Sequence, residues 1–141
     1  MTSGSGLPTA VRHPGVVIIP EDLVLGDHEM LTAHRVASHG ADVEMLLPSR
    51  AKGVKNPDAL VNGEVWEFKA PKRASAKNTI SYHFRRGGKQ CDQLVIDLAR
   101  CALAEDIAIA QCEERFHHQR KIRRLIVLDV EGKLACYGVK Q

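Results

Sequence analysis

Aromatic residues make up only 4% of the 141-residue chain. A core built from it is therefore mostly aliphatic, and a platform of rings for stacking splayed bases has little to draw on. No apolar run reaches about 18 residues, which excludes a transmembrane helix. The opening MTSGSGLPTAVRHPG lacks a charged start followed by a long apolar stretch, so no signal peptide is expected. Residues 1–15 read as a flexible leader and 16–141 as one domain. Cysteine is sparse and scattered: Cys91, Cys101, Cys112 and Cys136 have no zinc-type spacing, and no histidine is placed to complete a knuckle. They are expected to be small buried hydrophobes in a reducing compartment.

Acidic residues are missing altogether from Phe68 to Cys91. The same window holds Lys69, Lys72, Arg73, Lys77, Arg85, Arg86 and Lys89. The chain as a whole is only +3, so the rest of it is net −4. Such polarisation suits a face for a polyanion, with a solvated helix and loop as the plainer alternative. Lys72, Arg73, Lys77, Arg85, Arg86 and Lys89 are the candidate nucleic-acid contacts. His83 and Tyr82 lie among them. Arg120, Lys121, Arg123 and Arg124, farther along, are further candidates for phosphate.

What is present is enough apolar residue (44%, against 26% charged) for a folded core. Val16–Ile19 predicts a short edge strand or an extended arm. A helix is expected over Asp27–His39, capped by Asp27 and ended by Gly40. Val43–Leu47 predicts a strand stopped by Pro48. Ala59-Leu60-Val61 and Val65-Trp66-Glu67-Phe68 flank Asn62-Gly63, the favoured two-residue hairpin turn. Lys77–Gln90 predicts a helix weakened by Gly87-Gly88. A strand at Gln93–Leu98, a helix at Cys101–Gln119 and strands at Arg124–Val130 and Lys133–Val139 follow. The expected fold is α/β: a mixed sheet flanked by helices, in the order helix, three strands, helix, strand, then helix and two strands.

The Asn62-Gly63 turn sets a register. Counting outward, Ala59 faces Trp66 and Asp58 faces Glu67, with Lys69 on the same face as Glu67. Two opposed carboxylates repel, and a divalent cation taking their oxygens is a common remedy. Trp66 falls on the opposite face and reads as core. A solvated hairpin with ordinary surface charge is the alternative.

Pro57-Asp58, eight residues, then Glu67-Phe68-Lys69 resembles the PD-(D/E)xK motif of the restriction-endonuclease-like nucleases. The resemblance implies Mg²⁺ or Mn²⁺ held by Asp58, Glu67 and the Phe68 carbonyl, with Lys69 assisting the attacking water. That superfamily's core order, helix, three strands, helix, strand, matches the one read here. It also implies an acidic residue on the first helix, for which Glu29 is the match, and a glutamine on the second, for which Gln90 is. The wording KNPDALVNGEVWEFK, then NTI and KQCDQLVIDL, is similar to the C-terminal tRNA-nuclease domain of contact-dependent growth-inhibition toxins. This implies delivery as the C-terminal part of a larger toxin, action in the cytoplasm of a target bacterium, tRNA as substrate and a cognate immunity protein. That partner is expected to be acidic, to match the basic face. A DNA endonuclease of the same superfamily and a catalytically silent nucleic-acid-binding domain are the alternatives.

Overall fold

The computed structural model describes residues 13–72 and 79–138. In chain order the elements are β1 (Val17–Ile18), α1 (Asp27–Ala37), β2 (Val43–Met45), β3 (Ala59–Val61), β4 (Glu64–Lys69), α2 (Thr79–Gly88), β5 (Gln93–Asp97), α3 (Glu105–His118), β6 (Arg124–Leu128) and β7 (Leu134–Tyr137). The seven strands form one mixed sheet whose spatial order is the chain order. Strands joined through a helix pair in parallel: β1 with β2, β4 with β5, and β5 with β6. The others are antiparallel. The expected α/β architecture is the observed one, and Val17–Ile18 is an edge strand.

The hairpin register is as counted from the turn: Val61 pairs Glu64, Leu60 pairs Val65, and Ala59 pairs Trp66. Asn62 (φ 49°) and Gly63 (φ 82°) are both left-handed, the backbone this tight turn demands. Asn62 is also held from outside, because its Oδ1 accepts the Asp42 N–H at 2.8 Å.

Each helix covers one face of the sheet. Ala33, Val36 and Ala37 of α1 pack with Met45, Trp66, Phe68 and Val95. Ile80 and Phe84 of α2 and Ala108, Cys112 and Phe116 of α3 pack on the other face, with Leu94, Ile96, Leu125 and Val127. Strand residues alternate between the two cores, as the pleat requires. Trp66 is core, as expected.

Several boundaries differ from the sequence expectation. Helix α1 starts at Asp27, so Gly26 occupies the cap position and Glu29 Oε1 accepts the Gly26 N–H at 2.9 Å. Gly87 and Gly88 do not loosen α2; they lie within it, both buried. A Cβ on Gly87 would come within 2.9 Å of Leu94 and 3.7 Å of the Glu67 side chain. The missing side chain lets α2 approach the sheet at that point. Of the cysteines, Cys112 is buried, Cys91 and Cys101 are half-buried and Cys136 is exposed; all are free. Burial was expected for all four, but β7 is an edge strand and Cys136 points outward from it. Residues 1–12 of the expected leader lie outside the described residues. Gly15 donates its N–H to the Ala37 carbonyl at 2.7 Å. No helix among the described residues is long and apolar enough to cross a membrane.

Candidate functional site

Strand β3 is three residues long and β4 is six. The β3–β4 ladder therefore ends at Ala59–Trp66, while Glu67, Phe68 and Lys69 continue paired to β5 on their other side. A cleft of about 250 Å³ opens at this fork. Asp58, Glu67, Phe68 and Lys69 line it, and Glu29 enters from α1.

Asp58 does not extend the ladder as a partner of Glu67, contrary to the simple register count. It sits one residue past the last pair, and its side chain does what a strand would have done. Asp58 Oδ2 accepts the Phe68 N–H at 2.9 Å. The two carboxylates still meet, because that bond draws Asp58 across the fork. Glu67 is 3% exposed. One of its oxygens, Oε2, lies 3.2 Å from Lys69 Nζ. The other, Oε1, is buried with no hydrogen-bond partner.

The ionisation of these groups follows from that packing. Burial first, then the Asp58 charge, pushes the Glu67 carboxyl up to about 7, with Lys69 opposing and a side-chain hydrogen bond with Asp58 adding to the rise. Burial raises Asp58 as well, while the Phe68 N–H and Lys69 pull the other way and Glu29 adds to the rise. Glu29 thus both closes the first turn of α1 and contributes negative charge to the cleft.

The donors suit a hard divalent cation. Asp58 and Glu67 supply carboxylate oxygens, Glu67 Oε1 is orphaned, and the Phe68 carbonyl lies between Glu67 and Lys69. Among the described residues no group of three or more His, Cys, Asp or Glu is placed to hold a metal ion, so a cation here would rest on two carboxylates, a carbonyl and its own waters. Two carboxylates with open positions match Mg²⁺, which keeps several of its waters, better than a structural zinc site.

The other predicted positions are placed less uniformly. Gln90 is not on α2, which ends at Gly88, and it does not line the cleft. Its Oε1 accepts the Asn56 N–H at 2.6 Å, so it braces the loop leading to Asp58. Arg85 and Lys89, candidate nucleic-acid contacts, line a groove separate from the cleft. Arg86 lies over the Tyr82 ring, 5.9 Å from its centroid. Lys72 is exposed. Arg73 and Lys77 lie outside the described residues. Arg124 is spent on the fold: it bonds Glu64 Oε1 at 3.0 Å and Gln93 Oε1 at 2.7 Å, and covers Trp66.

Two further residues line the cleft: His83, which the sequence placed only among the basic segment's candidate contacts, and Arg100, which had no role on sequence grounds. His83 projects from α2, and Arg100 follows β5 with its Nε on the Ala70 carbonyl at 3.0 Å. Burial, then Lys69 and Arg100, lowers the His83 imidazole to about 4, so it is neutral at pH 7. Its Nδ1 is buried without a partner. The parallel pairing of Lys69 with Ile96 brings the ends of β4 and β5 together, and this was the available signal for Arg100.

Comparison with known proteins agrees with this architecture. The family model described as the contact-dependent growth inhibition CdiA C-terminal domain matches residues 55–134. A solved structure, the CdiA-CT/CdiI toxin and immunity complex from Burkholderia pseudomallei, is similar with a TM-score of 0.61 at 20% identity. That likeness, which is one of fold, covers 88% of this chain and 99% of the other. No curated protein matches the sequence.

Proposed function

The chain belongs to the CdiA C-terminal domain family of contact-dependent growth inhibition, and from that membership and the cleft at Asp58 and Glu67 we propose a metal-dependent toxin nuclease that hydrolyses tRNA phosphodiester bonds. The observation that carries the reading is the Glu67 carboxyl, 3% exposed and set against Asp58 and Lys69 in one cleft, whose Oε1 accepts from no donor group of the protein. Burying a carboxylate oxygen without a partner is costly, and a bound cation would relieve that cost. The spacing of Asp58, Glu67 and Lys69 favours a PD-(D/E)xK site. The wording around residues 55–71 favours tRNA over DNA.

In this proposal Asp58, Glu67 and the Phe68 carbonyl hold Mg²⁺ or Mn²⁺. The cation would supply charge neutralisation at the phosphate and an acidified water. Lys69 is kept beside Glu67 by their 3.2 Å contact, so its ammonium is already aimed at charge growing on the phosphate. Arg100 adds a second cation, fixed by the Ala70 carbonyl. His83, neutral, offers a ring nitrogen to a ligand in the cleft without repelling Lys69. Glu29 limits how much positive charge the cleft presents.

Delivery as part of a larger toxin, action in the target cytoplasm and a cognate immunity protein complete the proposal. The fold neighbour is described as a toxin and immunity complex, which supports the last. An acidic partner would complement the cationic surface and associate quickly.

The test is to incubate the protein with total tRNA and with plasmid DNA, in Mg²⁺ and in EDTA, beside Glu67→Gln. Cleavage of tRNA that needs both Mg²⁺ and Glu67 is expected. Cleavage of plasmid alone would shift the substrate to DNA, and no cleavage of either would leave a silent binding domain.

A further inference from the structure

A groove of about 500 Å³ runs between α2 and the end of α3. Ser81 and Arg85 of α2, at i and i+4, and Lys89 just past its end form one wall. At 100° per residue Ser81 and Arg85 lie 120–160° around the helix from His83 and Gly87, which face the cleft and Glu67. The groove and the cleft therefore occupy opposite sides of α2. The second wall carries Arg115, Arg120 and Lys121. Five cations thus line one groove with no acidic residue among them. The four ion pairs among the described residues use none of the five. Phe84 is the aromatic residue lining the groove, and at 4% exposure it belongs to the core, so it offers no ring for base stacking.

We propose that this groove is a second nucleic-acid site that grips the phosphate backbone of RNA, so that a substrate cut in the cleft also lies across the far side of α2. The inference rests on the nuclease reading for its choice of ligand, but not for the groove itself. Five cations without a carboxylate partner, Arg85 resting on the Tyr82 ring, repel one another, and a run of phosphates removes that repulsion while releasing counterions. The absence of a stacking surface predicts affinity for backbone and shape, with little preference for sequence.

The test is binding of a fluorescein-labelled RNA hairpin to the full chain in EDTA, across a salt series. Arg115→Ala with Arg120→Ala and Lys121→Ala is compared with Arg50→Ala, Lys52→Ala and Lys133→Ala, which remove the same charge elsewhere. Single Arg120→Gln serves should the groove triple melt early. The groove triple is expected to weaken binding more than tenfold at about 0.1 M salt and to reduce the log–log salt slope by about two, since each phosphate contact contributes roughly 0.7–0.9. The control triple should change the slope by less than half as much. In Mg²⁺ the groove variants should raise KM with kcat kept. If the two triples behave alike, or the groove variants bind RNA as the wild type does, the groove proposal is overturned even where Mg²⁺-dependent cleavage persists. If the protein cuts nothing yet loses RNA through the groove variants, the groove stands and the nuclease reading falls. Loss of binding to an immunity partner with RNA affinity intact would make this a protein-docking face and overturn the proposal.

Discussion

The Asp58 carboxylate accepts the Phe68 backbone N–H at 2.9 Å, one residue beyond the point where β3 stops pairing with β4. The same side chain therefore closes the strand end and faces the cleft that holds Glu67 and Lys69. Asp58→Asn keeps an oxygen for that N–H, whereas Asp58→Ala does not. Both are expected to cut Mg²⁺-dependent cleavage at least about a hundredfold. In EDTA the alanine variant should be less stable than the asparagine variant by ~1 kcal/mol, the worth of the lost hydrogen bond. Urea denaturation of the pair checks this, and equal stability would show that the Phe68 amide does not depend on Asp58.

The cleft makes stability depend on pH from two directions. The Glu67 carboxyl, ordinarily near 4.5, is raised to about 7 in the fold. Its raised value disfavours the folded state only where the unfolded chain would ionise. The penalty is absent below about pH 4.5 and grows as pH rises to about 7. His83, ordinarily near 6.5, is lowered to about 4, so its penalty grows as pH falls between those values. Glu67→Gln should stabilise the metal-free protein by ~2 kcal/mol at pH 8, on the scale of 1.4 kcal/mol per pK unit, and by little at pH 4.5. Denaturation at the two pH values reads the difference directly, and an equal gain at both would place the cause elsewhere.

Metal binding should appear as stabilisation without any substrate. Mg²⁺ at a hundred times its dissociation constant adds about 2.7 kcal/mol to the folded state. Thermal melts of the wild type are expected to rise with Mg²⁺, and those of Glu67→Gln to stay flat. A rise of the same size in both proteins would mean that the ion binds away from the Glu67 cleft.

Gln90 gives a contrast between bracing and chemistry. Its Oε1 accepts the Asn56 N–H at 2.6 Å and it does not line the cleft. Gln90→Ala should cost ~1 kcal/mol of stability for the lost bond. Cleavage by the folded variant at saturating substrate should remain within a few-fold of the wild type. A large fall in kcat with the melting point unchanged would return Gln90 to the reacting centre.

What the sequence determined by itself was local. The Asn62-Gly63 turn, two residues with left-handed backbone, dictates which residues of β3 and β4 oppose each other. Alternation along the strand then puts Trp66 in the core and Glu67 and Lys69 on the opposite face. Asp58 was legible as Glu67's companion from this count, although not the hydrogen bond through which it arrives. Element order was legible for the same reason, since caps, turns and periodicity are read over a few residues. Tertiary structure decided everything that depends on which face of α2 meets the sheet. Gly87 allows α2 to close on Glu67 and Leu94, and that contact sends His83 into the cleft and Arg85 and Lys89 to the far side. The parallel pairing of β4 with β5 brings Arg100 beside Lys69, and the end of α3 delivers Arg115 to a wall opposite Arg85. These neighbours are 30 residues apart or about that, and a helix face or a strand edge has no chemistry of its own to announce what will pack against it.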